Sequence, residues 1–224
     1  MWLNLYDKLI RYGFYLLFFL TPLLFNPSRS LPSFELFEWN KMMFVYAMTT
    51  VIVSAWLVRM VLHKKFLFTR TFLDIPLLLF LTSQILSTVF SIDPHVSLFG
   101  YYSRFHGGLL STISYTLLYW AFVSNRELIN PKRLLSIMLI AGTGVATYGV
   151  LEKFGIDANM WVQDVRNRVF STLGQPNWLA AYLAILLPLS LSRVIQYSNS
   201  NLGLDTKNQK SKIKSQNCRL KLKL

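Results

Sequence analysis

The sequence predicts an all-α integral membrane protein, a helical bundle of about six transmembrane helices with both termini inside. Three observations lead there. Six apolar runs of 16 to 21 residues, each close to the ~20 that cross a ~30 Å hydrocarbon core, are separated by polar connections. The basic residues are lopsided. Lys8, Arg11, Arg59, Lys64, Lys65, Arg70, Arg126, Lys132, Arg133, Arg193 and the seven of the tail make 17 of 23 on the N-terminal side, the bias expected of an N-in, C-in chain. The net charge of +13 therefore points to anionic inner-leaflet lipids, with no nucleic acid needed to explain it.

The first span, Leu9–Phe25, follows Lys8 and Arg11 like a signal peptide, but no small-x-small site follows it, so it reads as uncleaved. The outer connection to Lys41 carries Phe34, Phe37 and Trp39, which suit an interfacial belt. After the second span, Met42–Leu62, a basic inner loop ends in Asp74 and Pro76, a cap and a first-turn proline for the third span, Ile75–Phe90. The outer loop Ser91–His106 gives way at Gly107-Gly108 to the fourth span, Gly107–Val123. In the fifth, Leu134–Leu151, Gly142, Ala146 and Gly149 share one face and permit close helix packing. The sixth, Trp178–Ile195, is entered through Gly174-Gln175-Pro176-Asn177, and Pro188 should kink it. Residues 1–197 form the bundle. Residues 198–224 are Lys-rich and low in complexity, and are expected to be a disordered cytoplasmic tail. The single cysteine, Cys218, excludes an intramolecular disulfide.

No phosphate loop, dinucleotide fingerprint, zinc-protease helix or nucleophile elbow is present. Ionisable residues at membrane depth are almost absent, which argues against a proton-coupled pump. Glu152 and Lys153 come closest, at the outer end of the fifth span. His95 and His106 have no acidic or cysteine partners at ligand spacing, so no metal and no cofactor is expected. Binding chemistry gathers instead on the outer loops. Arg166 and Arg168 precede the sixth span, Asn177 is placed to cap it, and Arg104 follows two tyrosines. If those loops fold together, guanidiniums and a helix start can grip a pyrophosphate. The alternative is that Asn177 only caps a helix and the arginines only anchor loops among headgroups.

Three stretches carry a likeness: FELFEWNK (Phe34–Lys41), SLFGYYSRFHGGLLSTISY (Ser97–Tyr115) and RVFSTLGQPNWLAAYLAILLPLSL (Arg168–Leu191). On these the chain resembles the amino-terminal half of the O-antigen ligase and polymerase family of bacterial envelope glycosyltransferases. The resemblance implies a multi-pass protein of the bacterial inner (cytoplasmic) membrane, without metal or nucleotide-sugar cofactor, serving cell-envelope polysaccharide biosynthesis. Its partners would be an undecaprenyl-pyrophosphate-linked glycan, an acceptor (lipid A core, glycan or protein) and membrane lipids. Arg168 matches a family arginine position in its RVFSTLGQPN context, Arg104 more loosely, and Gln175 stands where relatives often have Asn. The family's catalytic histidine, in a long later loop, has no counterpart here, so the catalytic residue is unknown. The chain is expected to be a truncated or split member, with a separate carboxy-terminal half as a partner. Some sequences resembling the family have been described as bicarbonate transporters, so an anion transporter is the rival reading; an inactive remnant or assembly subunit is the third.

Overall fold

The computed structural model describes residues 2–26, 37–157, 159, 161, 164–165 and 167–221, with side chains given for those between 3 and 198. Among them there are seven α-helices and no strand: α1 (Trp2–Leu20), α2 (Glu38–His63), α3 (Asp74–Val89), α4 (Pro94–Phe99), α5 (Leu109–Ser124), α6 (Pro131–Lys153) and α7 (Pro176–Lys221). Short 3-10 turns precede α6 (Arg126–Leu128) and α7 (Ser171–Leu173).

Three helices are long and apolar enough to cross a membrane, Glu38–His63, Pro131–Lys153 and Pro176–Ser198. The apolar helices α3 and α5 have 16 residues each, roughly 24 Å at 1.5 Å per residue, somewhat short of the hydrocarbon thickness. The first helix, with 19 residues, carries Asp7, Lys8 and Arg11. These lengths and compositions make the chain a membrane protein.

Local chemistry sets the boundaries. Pro22 cannot continue α1, and Thr21 closes it with both its N–H and its hydroxyl on the Leu17 carbonyl. The helix thus ends before Phe25 and starts seven residues ahead of Leu9. Lys64 closes α2 in the left-handed region at φ 50°, with its own N–H on Val61 and the Lys65 N–H on Met60. Asn130 caps α6 by accepting from Lys132 and Arg133, with Pro131 at the first helical position. Asp93 caps α4 in the same manner, a short helix that the apolar pattern does not signal.

Two expected caps are corrected. Asp74 is already helical, and its carboxylate accepts from the Thr71 backbone and hydroxyl and from Trp120 Nε1. Asn177 is the second residue of α7, exposed, while the Gln175 carbonyl accepts the first helical bond, from Leu179. Proline at the first position moves the helix start two residues upstream of where the Asn suggested it.

The chain divides into two compact units, Met1–Tyr182 and Leu183–Leu224. In the first, α1, α2, α5 and α6 enclose a core of Ile10, Phe14, Tyr15, Met48, Ile52, Trp56, Leu118 and Ala121, with Ile129 and Leu134 completing it. A Cβ on Gly13 would stand 2.9 Å from Ile52, so glycine lets α1 and α2 approach closely. The third helix has no buried residue and packs on α5 and α4; Ile75, Leu79, Phe80 and Val89 lie exposed along it, as lipid contact requires. The second unit is the rest of α7, helical through Pro188 and on to Lys221. This helix includes residues 198–221 of the tail. Residues 198–221 contain no proline and one glycine, and Lys, Gln and Leu carry little helix penalty.

Within the first unit the polar contacts gather at two ends. At one, Arg59 is buried and triply held: Nε on Asp7 at 2.8 Å, Nη1 on Asn125 at 2.8 Å and Nη2 on Glu127 at 2.9 Å. Arg11 donates to the Leu128 carbonyl beside it. The other end holds the candidate site.

Candidate functional site

The connection from α6 to α7 folds back onto the bundle because Glu152 draws it in. Glu152 closes α6, is 0% exposed, and its Oε2 accepts the N–H groups of Phe170 (3.0 Å) and Ser171 (2.7 Å). Those N–H groups open the 3-10 turn Ser171–Leu173, where a carboxylate is favourably placed. Three further bonds fix the turn: Ser171 Oγ to the Val145 carbonyl, Thr172 Oγ1 to the Pro22 carbonyl, and Lys41 Nζ to the Thr172 carbonyl at 2.6 Å. Gly149 lies beneath, where a Cβ would come within 3.2 Å of Val169, so the close-packing role expected of it falls on this turn. Gly174 leaves the turn at φ 80°, and its missing side chain is the space taken by the Phe37 ring.

Above this platform lies a cavity of about 350 Å³. Glu38 and Lys41 reach it from the first turn of α2, His106 and Tyr115 from the α4–α5 segment, and Leu173 and Trp178 from the start of α7. Thr21, Met42 and Val45 complete a mainly apolar lining. The three stretches that carry the family likeness thus supply two residues each to a single cavity. Nothing local in the sequence announces that convergence.

An ion pair stands at its rim. Arg104 Nε stands 3.4 Å from Glu38 Oε2, an ion pair lacking hydrogen-bond geometry, with the arginine side chain 45% exposed and the glutamate 14%. The loop that presents Arg104 is held by Tyr46 OH, which donates to the Phe105 carbonyl at 2.7 Å. Tyr115 OH points at Met42 Sδ, 3.2 Å away.

The expected site residues scatter around this geometry. Arg104 reaches the cavity rim through Glu38. Arg168 and Asn177 are exposed, and neither lines the cavity. Arg166 lies outside the described residues. His106 lines the cavity, whereas His95 is exposed with its ring stacked 4.7 Å from Tyr102. Sequence reasoning missed Glu38, Lys41 and Tyr115, because it searched for arginines near a helix start. It also set Glu152 aside as an ordinary span-end charge. Among the described residues no group of three His, Cys, Asp or Glu is placed to hold a metal.

No protein-family model, curated protein or solved structure matches the chain.

Proposed function

We propose that this protein binds an undecaprenyl-pyrophosphate-linked glycan at the cavity end of its bundle. Its role would be that of an O-antigen ligase-like glycosyltransferase in cell-envelope polysaccharide biosynthesis. The observation that carries the reading is the shared cavity: each of the three family-like stretches contributes to its lining. Its chemistry suits an amphiphile. Apolar walls from Met42, Val45, Leu173 and Trp178 accept an isoprenoid, and Lys41 with Arg104 at the rim offers cations to a phosphate head.

In this reading the bundle lies in the bacterial inner membrane with six spans, N-in and C-in, and the cavity faces outward. Arg104 is the first contact to the pyrophosphate, with Arg168 approaching from the exposed connection before α7. Electrostatic grip on the leaving pyrophosphate lowers the barrier as an acceptor hydroxyl of lipid A core, glycan or protein attacks the anomeric carbon.

The test is equilibrium binding of undecaprenyl pyrophosphate to the full chain in lipid nanodiscs. Wild type should bind saturably, and Leu173→Trp, which fills the cavity from its wall, should lose at least tenfold in affinity. Equal binding by both would overturn the cavity as the site.

A further inference from the structure

We propose that Glu38 is a built-in counter-ion that an incoming anionic head group must displace from Arg104, so that the Glu38 charge sets the affinity of the site. This rests on the lipid-pyrophosphate reading of the cavity and adds a residue to it that opposes binding.

The argument starts from placement. Glu38 occupies the first turn of α2, where the unpaired N–H groups of a helix start favour the ionised carboxylate. Its side chain is mostly buried, lines the cavity and lies 3.4 Å from the Arg104 guanidinium. Arg104 is nearly half exposed, so the pair is one that solvent screens and that a competitor can open. Lys41, which does line the cavity, is three residues further along the same helix and donates to the Thr172 carbonyl. Both cations are therefore engaged within the protein. A phosphate that takes the Arg104 fork must leave a carboxylate beside it, and like charges at such range repel.

Two roles for Glu38 make opposite predictions. A glutamate that merely holds Arg104 in a binding-ready position helps the ligand, and its loss weakens binding. A counter-ion hinders the ligand, and its neutralisation strengthens binding. The guanidinium is nearly half exposed, so solvent already screens its attraction to Glu38 and an anion can approach it, which favours the second.

The experiment measures undecaprenyl pyrophosphate affinity of the full chain in nanodiscs for wild type, Glu38→Gln, Glu38→Asp and Arg104→Gln. Glu38→Gln should tighten binding about fivefold, equivalent to about 1 kcal/mol. Arg104→Gln should weaken it about tenfold. Glu38→Asp, whose shorter side chain draws the carboxylate back from Arg104, should fall between wild type and Glu38→Gln, and it carries the test if the Gln variant fails to fold. Unchanged or weaker binding by both Glu38 variants, with wild type binding normally, would overturn the counter-ion and leave the cavity reading intact. Absence of saturable binding by wild type would remove the cavity reading, and the counter-ion with it.

Discussion

The two ends of the bundle handle their charges in opposite ways. At the Arg59 end a buried guanidinium directs its fork at three oxygens, each within 2.9 Å, from α1 and from the α5–α6 connection. At the cavity end the Arg104 guanidinium meets one carboxylate at 3.4 Å and is open to solvent. The same side chain thus serves as a fastener in one place and as an exchangeable contact in the other. The difference lies in burial, 7% against 45% side-chain exposure. A triply bonded, desolvated arginine has no competitor, because nothing outside the protein reaches it. A half-exposed one, screened by solvent, can be reached by an anion from outside.

The cavity end does have a fastener of its own, and it is an acid. Glu152 binds two backbone N–H groups of the turn that builds the cavity wall, while its Oε1 accepts no hydrogen bond among the described residues. The rigid part of this end is therefore the backbone platform, and the yielding part is the cationic rim.

That contrast can be attacked at three points. The largest effect is expected at Arg59. Arg59→Ala strands the Asp7 carboxylate and the buried Asn125, and should destabilise the fold by about 3 kcal/mol. Denaturant titration in detergent reads it, and a loss below about 1 kcal/mol would show that the buried fork is no fastener. Next is Glu152→Ala, which leaves two buried N–H groups without an acceptor and should remove about 2 kcal/mol. It should also weaken binding at the cavity, since Leu173 belongs to the released turn; a stability loss without any binding loss would separate platform from site. The smallest effect belongs to Arg104. Arg104→Gln should leave the unfolding midpoint within about 0.5 kcal/mol of wild type, as for other exposed pairs. A loss as large as that at Arg59 would erase the distinction between the two ends.

The apolar runs made the three long apolar helices legible in advance. The second, fifth and sixth apolar runs lie within α2, α6 and α7, which extend them by a turn or less at the cavity end. Where the reading slipped, a polar residue had a partner that distance along the chain concealed. The start of α1 was placed late because Asp7 and Lys8 look like a flank, although Asp7 is held by Arg59, 52 residues on. Asp74 looked like a cap and instead turns back to Thr71 and across to Trp120. Glu152 read as a charge at the outer end of a span, and its partners come from the chain returning 18 residues later. The cavity follows the same rule: its six family-like residues were visible as three separate stretches, and only tertiary packing makes them neighbours. Arg104 could be picked out as a lone outer arginine, but its proximity to Glu38 could not.

The Arg59 fork also bears on how the protein is made. Arg59 and its partner Asp7 leave the ribosome early, whereas Asn125 and Glu127 follow 66 and 68 residues behind Arg59. A guanidinium near the end of α2 is costly to bring into a bilayer alone, by about 2.5–3.5 kcal/mol at a helix centre and less toward its end. During that interval Asp7 is the acid already present to neutralise it. The first two helices can therefore pair as a charge-balanced hairpin, with the later partners locking it once α5 has been synthesised.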